Sequence, residues 1–375
     1  MKLIYISPLR YPSEKAGSLF SMKACEAFAE EGLLVELWVP RRRNPIRHDP
    51  FDYYGIKRNF RLVYLPVVDL SPLPFFYFPL ALSFAVSVFV YALIRRIPQA
   101  IYYSHEEFAL FLLTYLSGRT VYEIHDFPGK SVLFRYLFRR LDFVVANNQW
   151  KAPKIKERFS FPPERILAVP NGVDLAQFSI PLSKEDARQK LGLPSAGKVI
   201  VYTGSLFGWK GVNTLVEAAR VFSEGVAVYC VGGGEKDSAD FRKKYADISS
   251  LHLVGQRPHA EIPLWLRAAD VLVLPNTARE DISKYYTSPM KLFEYMASGT
   301  PIVASDLPSV REVVNEKLVY FFEPDNVADL TRAVEDVLGN PSDAAKKSAR
   351  AYTTVQRYTW NVRAKEIINE IGIAK

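Results

Sequence analysis

The sequence predicts an α/β protein with two Rossmann-like domains, each a parallel sheet covered by helices. Strand-like runs alternate with helix-like runs along the chain, which is typical of a doubly wound sheet. The alternation occurs in two series, and 375 residues suffice for two hydrophobic cores. A turn-rich segment, PNGVD at 170–174, separates the two series. We therefore place the junction between the domains near Asn171.

The predicted strands are short apolar runs without strict alternation, as expected for parallel strands covered on both faces. In the first series they are 3–6, 34–39, 62–68, 101–103, 121–125 and 143–146. In the second series they are 199–202, 227–231, 251–254, 271–274 and 302–304. Helical patterns lie between the strands, for example at 18–30 and 212–222.

These patterns define the predicted domain boundaries. We expect an N-terminal domain at residues 1–170 and a C-terminal domain at 171–355. Residues 344–371 are helical in pattern, and no predicted strand follows them. The final helix, 356–375, is expected either to cap the second domain or to cross back to the first.

The composition indicates a soluble globular protein, with 49% apolar and 23% charged residues. Cys25 and Cys230 lie far apart in apolar surroundings, which favours a reducing cytoplasm over a disulfide framework. Met1-Lys2 leads directly into a short predicted strand, so we expect no signal peptide.

A formal net charge of +8 suggests a polyanionic partner. The excess is concentrated in the segment 41–61, where Asp49 and Asp52 are the acidic residues. Its basic residues are Arg41, Arg42, Arg43, Arg47, Lys57, Arg58 and Arg61. The chain carries no nucleic-acid recognition motif, so we expect no nucleic acid partner. An anionic membrane surface fits this charge better.

An apolar run at 70–94 contains no charged residue and is followed by Arg95 and Arg96. Its length qualifies it as a candidate membrane span. Prolines 72, 74 and 79 interrupt its first third, which leaves about fifteen residues for a bilayer core of about 30 Å. A buried core helix, a surface resting on the membrane and a membrane span all remain open as interpretations.

Candidate binding loops follow the predicted strands, because ligands of doubly wound sheets bind past the carboxyl ends of the strands. The loop 7–17 ends in Gly17, where the backbone can approach a ligand closely, although a plain loop is the alternative. The loop 203–211 contains Gly204, Ser205 and Lys210, and this lysine could neutralise a diphosphate. Its spacing is not that of a P-loop, and the glycines at 232–234 do not match a dinucleotide-binding pattern.

The segment 288–305 reads as a helix start followed by a buried strand. Ser288 fits an N-cap and Pro289 fits the first helical position. Lys291 then falls in the first turn, where the helix dipole disfavours a cation. A phosphate at the free amides would explain this lysine. The alternative is a surface helix in which Lys291 pairs with Glu294 on the same face.

His125 and Asp126 lie at the carboxyl end of a predicted strand. A histidine there can donate a hydrogen bond or act as an acid or base, and a turn-stabilising His-Asp pair is the alternative. The chain has 5 histidines, without paired ligand spacing, so we expect no metal site. It also lacks a serine nucleophile elbow.

Several motifs together resemble the retaining, nucleotide-sugar-dependent glycosyltransferases called group 1 or family 4. They are PNGVD at 170–174, YTGSLFGWKG at 202–211, GQRP at 255–258, ADVLVLP at 269–275 and FEYMASGTPIVAS at 293–305. The resemblance covers nearly the whole chain and is strongest over 169–314. It implies the GT-B fold, in which two Rossmann-like domains face each other across a cleft.

The resemblance also implies roles for individual residues. It places Lys210 on the donor diphosphate, Glu294 on the ribose and His125 on the donor sugar, with Lys210, Lys291 and His125 as the catalytic set. The implied donor-binding residues are Gly17, Gly204, Ser205, Lys210, Arg257, Ser288, Pro289, Met290, Lys291 and Glu294. The implied acceptor-binding residues are Glu14, Lys15 and Asp126.

The chain departs from the family pattern at two positions. Ser205 stands where the family usually has an arginine, and Lys291 could supply the replacement charge. Tyr286 stands where the first glutamate of the family's E-x7-E motif is expected. That glutamate usually contacts the donor sugar, so the sugar is less well specified by the resemblance.

The implied function is metal-independent, cofactor-free transfer of a sugar, with retention, from a UDP- or GDP-linked donor. The expected acceptor is a glycan or a lipid-linked molecule in cell-surface polysaccharide or glycolipid synthesis. The expected location is the cytoplasm, with peripheral contact to the inner membrane face. A GT-B epimerase and a non-catalytic nucleotide-sugar-binding partner of another transferase are the alternatives. A phosphorylase is disfavoured, because no lysine motif for pyridoxal phosphate is present.

Overall fold

The computed structural model describes residues 1–71, 73, 77–127, 129 and 131–372. The strands in chain order are β1 (Lys2–Ile6), β2 (Leu34–Pro40), β3 (Arg61–Leu65), β4 (Ala100–Ser104), β5 (Arg119–Ile124), β6 (Phe143–Ala146), β7 (Ile166–Ala168), β8 (Lys198–Thr203), β9 (Val226–Val231), β10 (Leu251–Gly255), β11 (Val271–Leu274), β12 (Ile302–Ser305) and β13 (Tyr320–Phe322).

The α-helices connect these strands. They are α1 (Ala16–Glu30), α2 (Pro50–Tyr54), α3 (Tyr77–Arg95), α4 (Glu107–Leu113), α5 (Val132–Arg140), α6 (Lys151–Phe159), α7 (Leu175–Phe178), α8 (Lys184–Leu191), α9 (Val212–Ala218), α10 (Glu235–Lys244), α11 (Ile262–Ala268), α12 (Met290–Ser298), α13 (Pro308–Arg311), α14 (Val327–Gly339), α15 (Pro341–Val355) and α16 (Trp360–Glu370).

The chain divides into two compact domains. The first contains Met1–Pro170 together with Trp360–Lys375, and the second contains Asn171–Thr359. The helical pattern at the end of the chain is therefore two helices, α15 in the second domain and α16 in the first.

Each domain is built on one parallel sheet. Over the described residues, the first sheet has seven strands in the order β3-β2-β1-β4-β5-β6-β7, and the second has six in the order β10-β9-β8-β11-β12-β13. The strand order reverses between β1 and β4 and between β8 and β11. Ligands of such sheets bind outside the carboxyl ends of the strands at this reversal. The two sheets confirm the prediction of two Rossmann-like domains.

The structure differs from the predicted strands in a few places. Two edge strands, β7 and β13, were not predicted, and each has only 3 residues. The strand predicted at 62–68 ends at Leu65, and the strand predicted at 121–125 ends at Ile124. Three-residue runs carry too little hydrophobic periodicity to identify a strand, and they form here by pairing with a neighbour already in the sheet.

Helix α3 contains most of the apolar run at 70–94 and makes the crossover from β3 to β4. Its inner face, including the fully buried Phe84 and Val88, belongs to the core that also contains Ile4 of β1 and Tyr102 of β4. By length and composition alone α3 could cross a membrane, since its mean hydropathy is 2.0. Pro72, Pro74, Phe75 and Phe76 of the run lie outside the described residues. The core-helix interpretation therefore accounts for one face of α3.

Candidate functional site

The loop after β8 lies against two neighbouring strand ends, and glycines permit this approach. Gly211 has a φ of +68°, and a Cβ there would collide with the Pro275 carbonyl that follows β11. Gly232 has a φ of +125°, and a Cβ there would collide with the Gly204 carbonyl. The predicted diphosphate loop is thus held at the reversal of strand order in the second sheet.

Lys291 reaches this loop from the first turn of α12. Its Nζ donates a hydrogen bond to Oη of Tyr202 at 2.9 Å and lies 4.0 Å from the centroid of that ring. Oη of Tyr202 donates in turn to the Ser205 carbonyl at 2.7 Å. Any Cβ at Gly204 would come 2.6 Å from the lysine Nζ. The structure therefore brings together Gly204, Ser205 and Lys291, three of the predicted donor-binding residues.

The start of α12 differs from the prediction. The N-cap is Pro289 and the first helical residue is Met290, so Ser288 does not cap the helix. The Ser288 hydroxyl instead accepts from the backbone N–H of Asn171 at 3.1 Å, and its carbonyl accepts from the Asn171 side chain at 2.6 Å. In the part of the chain that the structure describes, α12 has no side-chain cap. The backbone N–H groups of Met290 and Lys291 are therefore available to an anion, whereas that of Leu292 donates to the Pro289 carbonyl at 3.0 Å.

Lys210 and Lys291 are close enough to repel each other. Burial lowers the pKa of Lys210 to about 8. The pKa of Lys291 is held well below its ordinary value, mainly by burial and then by the charge of Lys210. Nζ of Lys210 lies 3.6 Å from the Trp209 ring centroid. Within the described residues neither ammonium forms an ion pair with a carboxylate. Two lysines beside an uncapped helix start have the positive charge and the N–H donors that can bind a polyvalent anion.

Glu294 lies one turn further along α12 and is buried, with 9% of its surface exposed. Its Oε1 lies 3.2 Å from Nε2 of His259, and Nδ1 of that ring lies 3.0 Å from the Gln177 side-chain nitrogen. Neither His259 nor Gln177 has a role predicted from the sequence. His259 lies 35 residues from Glu294 in sequence, and Gln177 lies 82 residues from His259. No short sequence motif can indicate contacts over such separations.

Two further positions belong to the loops of the second domain. Arg257 is exposed after β10, and its side chain makes no ion pair with any described residue. Tyr286 ends a π-helical turn, Ile282–Tyr286, and is half-buried beside Tyr285. Such turns are rare and often occur at functional sites. An aromatic ring thus occupies the position at which the resemblance expects a carboxylate.

In the first domain, His125 immediately follows β5 and is half-buried. Its ring packs edge-on against Phe20, with centroids 4.6 Å apart, and against His105 at 5.4 Å. Its Nε2 is 3.7 Å from a Glu123 oxygen, which is too long for a hydrogen bond. Asp126 is exposed, and among the described residues no hydrogen bond or ion pair joins the side chains of His125 and Asp126. The turn-stabilising His-Asp pair is therefore not formed.

A buried ion pair lies beside His125. Glu123 is fully buried and pairs with Arg363 of α16, whose Nε also donates to the Pro170 carbonyl at 3.0 Å. Burial alone would raise the pKa of Glu123, but the Arg363 guanidinium holds it below its usual range. Burial, with a smaller effect of His125, lowers the pKa of His105 to about 3, so His105 is neutral at neutral pH.

The loop after β1 enters α1 earlier than predicted. The helix begins at Ala16, so Gly17 lies in its first turn and not before it. Ser18 does not cap the helix, because its hydroxyl donates to the Arg10 carbonyl at 3.0 Å. Glu14 accepts from Arg10 at 2.7 Å, and Lys15 is the N-cap, without a side-chain cap. Glu14, Lys15 and Gly17 are exposed.

Among the residues that the structure describes, no group of three or more histidine, cysteine or acidic side chains is placed to hold a metal ion. The side chains that converge at the second sheet are instead two lysines, a tyrosine and a carboxylate. They can neutralise an anion and accept hydrogen bonds from hydroxyl groups.

Two family models match consecutive parts of the chain. Glycosyltransferase Family 4 matches residues 22–177, and Glycosyl transferases group 1 matches residues 197–340. Among curated proteins, the chain is 28% identical over 241 residues to a D-inositol 3-phosphate glycosyltransferase of Thermobispora bispora, with 60% of this chain and 54% of that protein covered. The chain spans about half the length of the curated relatives it matches.

Solved structures resemble the whole chain. Sucrose-phosphate synthase from Thermosynechococcus elongatus has a TM-score of 0.78 at 19% identity, with 98% of this chain and 97% of that chain covered. HepE from Anabaena in complex with UDP-glucose has a TM-score of 0.75 at 17% identity, with 98% of this chain and 99% of that chain covered. At these identities the likeness establishes a shared fold.

Proposed function

Because the chain belongs to the group 1, family 4 glycosyltransferases, which have the GT-B fold, we propose that it transfers a sugar from a nucleoside diphosphate sugar with retention of configuration. The observation that carries the proposal is the pair Lys210 and Lys291 beside the uncapped start of α12. Neither lysine has a carboxylate counter-ion among the described residues, and in this proposal the donor diphosphate is that counter-ion.

The two lysines would act on the bond-breaking step. As the bond from the sugar to the diphosphate breaks, negative charge grows on the departing phosphate. Lys210 and Lys291 supply positive charge where that charge develops, and the backbone N–H groups of Ser288 and Met290 supply hydrogen-bond donors. Pro289, which lies between them, has no N–H and contributes only to the shape of the loop. Since the lysines neutralise the leaving group, we propose that the reaction needs no divalent metal ion and no cofactor.

The remaining assignments in the second domain concern the nucleoside. We propose that Glu294 accepts hydrogen bonds from the ribose hydroxyls and that Arg257 lies beside the base. A UDP- or GDP-linked sugar fits both roles. The complex of HepE with UDP-glucose favours testing uridine donors first.

For the first domain we propose that His125 contacts the transferred sugar and that Glu14, Lys15 and Asp126 bind the acceptor, with Gly17 near a phosphate. The acceptor hydroxyl would give its proton to the departing phosphate oxygen as the new glycosidic bond forms. This front-face route requires no protein nucleophile, and no serine nucleophile elbow occurs in the sequence. A glycan or lipid-linked acceptor of a cell-surface polysaccharide or glycolipid is the proposed class.

A lipid-linked acceptor is supported by the outer face of α3. This face exposes a continuous apolar stripe, with Leu82 at 65% and Ile94 at 72% exposure. Its members are Phe78, Leu82, Val86, Val90, Leu93 and Ile94. Arg95 is the last residue of α3 and Arg96 follows it, and both are exposed, as are Arg41 and Arg43 in the segment after β2. An apolar stripe beside arginines matches an anionic membrane surface, so we propose peripheral binding from the cytoplasmic side.

The test of the function is release of nucleoside diphosphate from a panel of UDP- and GDP-linked sugars, with and without a lipid extract as acceptor source. We expect release from one donor class, stimulated by acceptor and unchanged by EDTA. Lys210→Ala should abolish most of it, while Lys317→Ala, an exposed lysine of the same domain, should not. Tight donor binding without any release would favour a non-catalytic binding partner. Conversion of the donor sugar itself would favour an epimerase.

A further inference from the structure

Glu294 is the last member of a hydrogen-bonded chain of three side chains. The other two come from parts of the second domain that are distant in sequence. Gln177 lies on α7, and His259 begins the short turn His259–Glu261 that precedes α11. The Gln177 nitrogen is 3.0 Å from Nδ1 of His259, and Nε2 of the same ring is 3.2 Å from Oε1 of Glu294. We infer that His259 is a positioning residue that orients the Glu294 carboxylate toward the donor ribose. This inference rests on the proposed function.

The order of donors and acceptors sets the tautomer of the imidazole. The side-chain nitrogen of Gln177 can only donate, so Nδ1 of His259 accepts and carries no proton. The proton of the neutral ring then resides on Nε2, which faces the carboxylate and donates to it. Gln177 therefore selects the form of His259 that can hold Glu294.

This arrangement leaves half of the carboxylate unused. His259 is the one hydrogen-bond partner of Glu294 among the described residues, and it takes only Oε1. A carboxylate has acceptor sites on both oxygens. With one oxygen anchored, the other keeps a fixed direction and can accept from a ribose hydroxyl without first losing side-chain freedom.

The histidine is itself fixed by packing. Phe178, next to Gln177, meets the His259 ring edge-on with centroids 5.5 Å apart. Phe178 is buried in the same core cluster as Leu292 and Phe293, which immediately precede Glu294 on α12. A residue of this core thus adjoins each member of the hydrogen-bond chain in sequence or packs against it, which limits changes in their separations.

The test compares binding of UDP and 2′,3′-dideoxy-UDP by calorimetry, because only UDP has hydroxyls for Glu294. If the donor panel identifies guanosine donors, GDP and its dideoxy form replace them. We expect the wild-type protein to prefer UDP. His259→Ala should weaken UDP binding roughly tenfold and leave dideoxy-UDP binding unchanged, since the loss of one hydrogen bond to a charged group acts only through the ribose.

A conservative substitution of His259 distinguishes a role in orienting Glu294 from a role in stabilising the fold. His259→Gln keeps an N–H near the position of Nε2 and should recover most of the UDP affinity. His252→Ala removes another histidine of the same domain, stacked on Tyr229 at 4.5 Å, and should change neither ligand. The thermal unfolding midpoint of each variant reports whether it folds.

The outcomes distinguish this inference from the proposed function. Equal weakening of UDP and dideoxy-UDP by His259→Ala, or no effect on either, overturns the positioning role. Glu294→Ala must abolish the preference of the wild-type protein for UDP. If the wild-type protein shows no such preference, the ribose role of Glu294 fails, and the proposed function loses that assignment whatever His259 does.

Discussion

The ammonium of Lys291 lies 2.9 Å from the hydroxyl of Tyr202, which joins the first turn of α12 to the last residues of β8. A lysine at the start of a helix opposes the helix dipole. Here it lies beside Lys210 and close to Ser205, where the family resemblance leads us to expect an arginine. We propose that Lys291 supplies, from the first turn of α12, the positive charge that Ser205 does not provide in the loop after β8.

The first prediction tests whether Lys291 takes the place of the arginine expected at position 205. Lys291→Ala should lower kcat/KM for the donor about 100-fold, because one cation is lost from the developing phosphate charge. Adding Ser205→Arg to that variant should recover at least tenfold, since the arginine returns the charge to the loop. Donor kinetics at saturating acceptor measure both changes. If the double variant folds and is no more active than Lys291→Ala, Lys291 does not take the place of that arginine.

The second prediction concerns pH. The pKa of Lys210 in the free protein is about 8, below its ordinary 10.5, and a bound diphosphate should raise it. Binding of nucleoside diphosphate should therefore take up a proton above pH 8 and weaken by up to tenfold per pH unit as the lysine loses its charge. Calorimetry in buffers of different ionisation enthalpy measures the uptake. Lys210→Arg should remove the part of the uptake that is due to this residue, because arginine stays protonated, and leave the part that is due to Lys291.

The lowered pKa of Lys210 also affects the free energy of unfolding, with the opposite dependence on pH. The folded protein binds fewer protons at Lys210 than the unfolded chain between pH 8 and 10.5. The contribution of this residue to stability should therefore rise with pH across that window. A Lys210→Met variant should lack this contribution. An unchanged slope of stability against pH in that variant would contradict the lowered pKa.

The third prediction concerns the buried pair of Glu123 and Arg363 in the first domain. Arg363→Met should destabilise the domain by about 3–5 kcal/mol, because it leaves a buried carboxylate without its partner. The double variant Glu123→Gln, Arg363→Met should recover part of this loss. Differential scanning calorimetry of the intact chain measures both.

Acid should weaken the same pair. Because the pKa of Glu123 is lower in the folded protein than its ordinary 4.5, its contribution is present above pH 4.5 and is lost as the pH falls further. Glu123→Gln should reduce this acid sensitivity. An Arg363→Met variant as stable as the wild-type protein would show that the pair contributes nothing.

The fourth prediction concerns the outer face of α3. The protein should co-sediment with vesicles of phosphatidylglycerol more than with vesicles of phosphatidylcholine, since the stripe is flanked by arginines. Leu82→Asp with Val86→Asp should abolish binding. Val221→Asp, at an exposed apolar residue of the second domain, is the matched control and should bind normally. Absence of binding to either vesicle would exclude membrane docking by this face.

The sequence by itself determined the fold class, because strand and helix patterns depend on residues close together in the chain. The segments with a clear pattern, such as β8 and β9, were predicted nearly to their ends. The three-residue edge strands β7 and β13 were not, since they form by pairing with a neighbour in the sheet. The motifs around Lys210 and Glu294 were likewise visible, because each lies within one short segment.

Only the tertiary structure decided which atoms meet. The side chain of Ser288 looked like a helix cap, but it bonds to Asn171, which lies 117 residues away in sequence. The contact of His259 with Glu294 and the two faces of α3 also depend on which segments pack together. Local preferences are worth about 1 kcal/mol or less per residue, so packing between distant segments overrides them. Sequence patterns therefore located the loops of the candidate site, whereas packing set the partners of Lys291 and Glu294 within it.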